Sequence, residues 1–93
     1  MAGALSLDYK GKHVLLISQP DSSNGRTHGR ILASIDDGAN WQVVQKVTEK
    51  MFAYSCMTIS DDNKLFCLYE NKGYKALVVI SYSLDELLTG IIK

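Results

Sequence analysis

The sequence holds one proline and two cysteines in 93 residues, and its ten Lys and Arg cancel ten Asp and Glu. Two cysteines give at most one disulfide, which excludes a cross-linked miniature scaffold. They also lack the spacing of a zinc site. A formal charge of zero argues against a general phosphate-binding role, and so against nucleic acid or an anionic membrane surface as partner. One Pro and seven Gly leave little room for a disordered linker. The apolar stretch at 76–80 is far too short to span a bilayer. The first eight residues have neither a basic region nor a long apolar core, so they make a poor signal peptide. Nor is there an Asn-x-Ser/Thr glycosylation acceptor. Neither a metal nor a cofactor is expected.

What is present is an ordinary globular composition, 46% hydrophobic and 22% charged. A chain of this length buries roughly 60–70% of its unfolded surface, enough for a marginal core. Its texture is short β-prone runs broken by turn residues. Strands are predicted at 13–18, 30–35, 41–47, 53–59, 64–69 and 74–83. The centre of the first, residues 14–17, reads as buried on both faces. Turn chemistry separates them: a polar loop from Gln19 to Gly25, then Asp36-Asp37-Gly38, Asp61-Asp62-Asn63 and Asn71-Lys72-Gly73. Only 84–88 has helical flavour, at most about a turn and a half. Six strands without a helix of ordinary length predict an antiparallel all-β architecture, and no linker divides residues 1–93.

One segment carries a denser pattern. Ser34-Ile-Asp36-Asp-Gly38-Ala-Asn-Trp41 fits Ser-x-Asp-x-Gly-x-x-Trp. Asp36 can hydrogen-bond the backbone of the turn it opens. Gly38 permits a left-handed conformation. Trp41 starts the return strand and packs beside the turn as an apolar plug. Taken alone, these residues describe a β-turn next to a core Trp. The pattern also resembles the Asp box of sialidases and related β-propellers, a structural motif at a blade's outer turn. The resemblance therefore implies a structural role for Ser34, Asp36, Gly38 and Trp41, and excludes Asp36 as a catalytic candidate. Asn40 stands where that family often has Thr, a departure given no functional weight.

The resemblance widens on both sides. Val14-Leu-Leu-Ile-Ser-Gln-Pro20, followed by Ser23-Asn-Gly-Arg26-Thr, is similar to the stretch before the last Asp box of bacterial-type sialidases. Phe52-Ala-Tyr54-Ser, a hairpin, and Leu68-Tyr-Glu70 are similar to the family's Ala-Tyr-Ser and Leu-Tyr-Glu segments. Residues 78–88 resemble its closing strand and short helix. The likeness spans roughly residues 10–90 and implies about one and a half blades of a six-bladed sialidase β-propeller, the C-terminal segment of its catalytic domain.

That resemblance implies a chemistry. Sialic acid carries a carboxylate on its anomeric carbon, which repels an anionic nucleophile. A neutral Tyr hydroxyl avoids the repulsion, with a nearby Glu taking its proton, so sialidases depart from the two-carboxylate scheme. Tyr54 matches the nucleophile. Arg26 matches the third Arg of the cluster that grips the substrate carboxylate, a task suited to a planar, permanently charged fork. Glu70 matches the carboxylate that orients the first Arg. Read without the family, these are a strand Tyr, a solvated loop Arg and a strand-end Glu. Arg30 is the rival to Arg26, but its strand position reads as surface or structural. His13 and His28 read as surface residues. The first and second Arg, the general-acid Asp and the Glu paired with Tyr have no counterpart in residues 1–25.

The implied substrates are sialylated glycans: glycoproteins, gangliosides and oligosaccharides. The isolated chain is expected to have little or no activity, and its partners to be the rest of a propeller or copies of itself through exposed blade edges. A non-catalytic Asp-box module, binding carbohydrate or purely structural, is the alternative reading, and a free-standing small β-barrel or sandwich is a third. Cys56 and Cys67 fall on adjoining strands, where two buried thiols are expected rather than a disulfide.

Overall fold

The computed structural model describes residues 3–20, 27–52, 55–71 and 76–91, with the backbone alone at 50, 51, 71 and 76. Seven strands and one short helix follow in order: β1 (Gly3–Tyr9), β2 (Lys12–Pro20), β3 (Thr27–Ser34), β4 (Gln42–Met51), β5 (Ser55–Ile59), β6 (Lys64–Asn71), β7 (Ala76–Ser83) and α1 (Leu84–Leu88). They form two antiparallel meanders, a four-stranded sheet β1-β2-β3-β4 and a three-stranded sheet β5-β6-β7. The all-β expectation holds, with one correction. The N-terminal stretch is a strand, making seven strands where the sequence reading has six. Its alternation, Ala4-Leu-Ser-Leu-Asp-Tyr9, has the period of two that one buried face requires. Lys10 (φ 50°) and Gly11 (φ 81°) form the two-residue, left-handed turn that lets β1 fold directly onto β2.

The core lies between the two sheets. Leu5, Leu7, Tyr9, Val14, Leu16, Ile31 and Ala33 face it from the first sheet, and Met57, Ile59, Leu65 and Tyr82 from the second. The run 14–17 is therefore not buried on both faces. Val14 and Leu16 are fully buried, whereas Leu15 and Ile17 point to the far side of the sheet and are only half-buried. One end of the core is closed by α1, with Leu84, Leu87 and Leu88 buried. Ser83 caps this helix by accepting from the Glu86 amide, and the Leu84 amide donates to the Asn63 carbonyl at 3.0 Å, tying α1 to the β5–β6 turn.

Register decides the fate of the cysteines. Cys56 is opposite Leu68, and Cys67 is opposite Met57. Directly opposed residues share a face, so the two thiols point to opposite sides of the sheet. Both are free. The expectation of two buried thiols fails for Cys56, which is exposed; Cys67 is buried.

Candidate functional site

The turn joining β3 to β4 is a compact network. The Ser34 hydroxyl donates to Asp36 Oδ1 at 2.8 Å and accepts from the Gly38 amide at 2.8 Å. Both carboxylate oxygens of Asp36 are held by one residue: Oδ1 accepts from the Asn40 amide at 2.9 Å, and Oδ2 from the Asn40 side chain at 2.8 Å. These bonds favour the charged form and lower the Asp36 pKa from 3.8 to about 2, with the Asn40 side chain the largest cause. Asp37 (φ 58°) and Gly38 (φ 90°) take left-handed conformations in succession. The Trp41 indole donates to the Gly38 carbonyl at 3.1 Å, so its half-buried ring is pinned beside the turn. Asn40 is an integral part of this latch, a structural weight not assigned to it from the sequence.

Ser34, Asp36, Gly38 and Trp41 are thus brought together, but at one end of the first sheet. The described residues bordering 21–26, 53–54 and 72–75 lie at the other end. Pro20 pairs with Gly29, and Thr27 with Met51. Ser55 pairs with Tyr69, and Asn71 with Ala76. Two of the sequence candidates, Arg26 and Tyr54, lie outside the described residues. The residues on either side of 53–54 are firmly held. Phe52 is fully buried, its ring 4.7 Å from that of Tyr69. It fills the space over Gly29, where a Cβ would stand 2.4 Å from Phe52 Cδ1. The Ser55 hydroxyl meets the Ser18 hydroxyl at 2.8 Å and donates to the Ser18 carbonyl at 3.3 Å. Glu70, half-buried near the end of β6, lines a recess of about 240 Å³ with Ser55, Cys56, Leu68, Tyr69 and Leu77.

Arg30 is structural. Its side chain is 9% exposed and donates to Glu49 Oε1 at 2.8 Å and to the carbonyls of Gly29 and Thr48. His28 (φ 63°) approaches the other Glu49 oxygen at 3.5 Å. Glu49 carries no signal in the sequence, and Ser18, Phe52 and Ser55 stand in the quoted motifs without a role of their own, because each acts through a partner that only the fold brings near. His13 is a surface residue paired with Asp8 at 3.1 Å. Among the described residues no group of three or more His, Cys, Asp or Glu is placed to hold a metal ion. None of their helices is long and apolar enough to cross a membrane.

No protein-family model matches the sequence, and no curated protein does. Solved structures match it. A leech intramolecular trans-sialidase complexed with 2,7-anhydro-Neu5Ac superposes with a TM-score of 0.71 at 21% identity, covering 96% of this chain and 16% of the leech chain. The intramolecular trans-sialidase from Ruminococcus gnavus, in complex with oseltamivir carboxylate, gives a TM-score of 0.67 at 23% identity, covering 92% of this chain and 22% of that one. The chain therefore spans less than a quarter of the length of either protein. It has the fold of a section of a sialidase β-propeller: the four-stranded sheet is a whole blade, and the three-stranded sheet is a second blade short of one strand.

Proposed function

We propose that these 93 residues are the C-terminal section of a sialidase-type propeller whose complete domain cleaves terminal α-linked sialic acid from glycoconjugates. In this reading the Tyr54 hydroxyl attacks the anomeric carbon as a Glu from outside this section takes its proton. The bond to the leaving oxygen breaks as an acid from outside this section protonates it. Water then cleaves the tyrosyl-sialoside with net retention. Arg26 pairs with the substrate carboxylate, and Glu70 orients a further Arg of the same grip. Most of that machinery lies on other blades, so the isolated chain turns over little or nothing.

What supports the reading is one topological fact joined to the fold likeness. The described residues flanking 21–26 and 53–54, together with Glu70, converge on one end of the two sheets, while the Asp36 latch occupies the opposite end. Described flanks of the segments that hold Arg26 and Tyr54 at one end, and the Ser34–Trp41 turn at the other, fit the division of labour that the sequence resemblance implies.

The test is a chimera. Residues 3–91 replace the matching section of the Ruminococcus gnavus trans-sialidase, and release of a fluorogenic phenol from a sialoside is followed. The expected result is an active chimera in which Tyr54→Phe lowers kcat on the order of 10³-fold or more. Arg26→Ala should raise KM by about 10–100-fold, the loss of a charge-assisted hydrogen-bond pair. A folded chimera whose rate ignores Tyr54→Phe removes Tyr54 from its role and leaves the non-catalytic module. Rapid sialoside cleavage by the 93-residue chain alone contradicts the assignment of most of the machinery to other blades.

A further inference from the structure

At the end opposite the Asp36 latch the two sheets come into backbone contact. A Cβ on Gly3, the first residue of β1, would stand 2.8 Å from the Ser55 carbonyl oxygen, 2.9 Å from Cys56 Cα and 2.8 Å from Ser18 Oγ. Packed sheets ordinarily lie about 10 Å apart. Along β2 the inward row runs Val14, Leu16, Ser18, all fully buried, so it turns polar where β1 crosses β5. There the Ser18 and Ser55 hydroxyls meet at 2.8 Å, and the Ser55 hydroxyl donates to the Ser18 carbonyl at 3.3 Å. The first residue of β5 is thus bonded twice to β2. A second anchor precedes it by three positions. Phe52 is fully buried between Gly29 of β3 and Tyr69 of β6. Only residues 53 and 54 separate the two anchors in the sequence, and the chain can put at most about 11 Å between the Cα atoms of 52 and 55. Both anchors tie this stretch to the four-stranded sheet, the neighbouring blade.

We infer that Ser18 is a positioning residue for Tyr54, acting through the buried hydroxyl pair it makes with Ser55, one peptide bond further on. The blade that does not carry the nucleophile sets where the nucleophile's strand begins. The inference rests on the reading of Tyr54 as the nucleophile. The chemistry of the pair favours positioning over plain packing. Alanine is close to serine in size and would fill the same space beside Gly3. Replacing both partners of a buried neutral hydrogen bond by apolar groups of similar shape is nearly neutral for stability. What the hydroxyls add is direction. Hydrogen bonds of fixed length and angle lock the start of β5 against β2, whereas apolar contact alone tolerates sliding. A nucleophile must stand in near-attack geometry, where a misplacement of about 1 Å can cost about 10²-fold in rate. Ser18 bears on the attacking group and not on the grip of the substrate carboxylate, so its loss falls on kcat rather than on KM.

The test uses the same chimera, with Ser18→Ala, Ser55→Ala and the double variant Ser18→Ala/Ser55→Ala. Each should lower kcat by about 10–100-fold and leave KM within about twofold. The double variant leaves neither hydroxyl unpaired, so its urea midpoint should stay close to that of the parent chimera while its kcat falls as far as that of either single variant. In a Tyr54→Phe background Ser18→Ala should lower the residual rate no further, because the group it positions is already gone. A chimera that folds but is inactive, or whose rate ignores Tyr54→Phe, removes the nucleophile assignment and this inference together. A Tyr54-dependent rate that ignores Ser18→Ala and the double variant overturns the inference alone. So does a rise in KM at unchanged kcat, which would place the effect on binding, or a further loss of the same size in the Tyr54→Phe background, which would mean that Ser18 acts on another part of the site.

Discussion

Asp36 behaves as a structural acid. Its folded pKa, about 2, lies below the ordinary value of 3.8, because Asn40 and Ser34 bind the charged form. A depressed carboxylate stabilises the folded state above its unfolded pKa, and that contribution is lost as pH falls through the folded value. The window is therefore from about 4 down to about 2. In an acid titration followed by NMR, the Asn40 backbone amide should shift with a midpoint near 2, and the shift should vanish in Asp36→Asn. A midpoint at the ordinary value would show that the Asn40 grip does not form in solution. The thiols offer a second measurement. Burial pushes Cys67 up to about 11, with Cys56 adding to the rise, while Cys56 is exposed on the other face. Brief iodoacetamide treatment at mildly alkaline pH should modify one residue per folded chain, Cys56, and both after unfolding. The latch was legible in the sequence because its partners lie within a few residues of one another. The cysteine faces were not, since they depend on a register set by the β5–β6 turn and on which side meets the first sheet.

Between elements, β3 packs tightly against the residue after β4. Gly29 leaves no room for a side chain: an added Cβ would stand 2.4 Å from the Phe52 ring, which is itself stacked against Tyr69. Gly29→Ala should therefore destabilise the fold by about 1–3 kcal/mol, the usual cost of overpacking a filled site. The urea midpoint measures it, and Phe52→Leu in the same chain should recover part of the loss. A midpoint unchanged by Gly29→Ala would show that the ring moves aside freely. Element boundaries followed the turn residues: Asp37 and Gly38 close one hairpin and Asn63 another, and 84–88 is the helix its leucines suggested. The strand β1 escaped because its alternation stands at the N-terminus, where the same residues are weighed as a leader. The Arg30–Glu49 pair escaped because the register of β3 on β4 shifts three times between Thr27 and Leu32, so no fixed spacing predicts it.

For the whole molecule, the extents of 40 × 28 × 17 Å describe a plate two sheets thick. An architecture of short strands and tight turns was legible, and the motif order pointed to a propeller. Which residues share an end of the plate was not, because that depends on the pairing of Pro20 with Gly29 and of Ser55 with Tyr69. The Asp36 latch has a further consequence, in the order of assembly. All its hydrogen bonds join residues at most four apart, whereas β1 meets β5 across half the chain. Short loops close at little entropic cost, so the β3–β4 hairpin forms before the two sheets find each other. In stopped-flow refolding, Asp36→Ala should chiefly slow folding, with a φ-value near 1. Leu84→Ala, at the far end of the chain, should chiefly speed unfolding. A φ-value near zero at Asp36 would reverse that order. The β3–β4 turn thus sets the sequence of events by which the sheet is built.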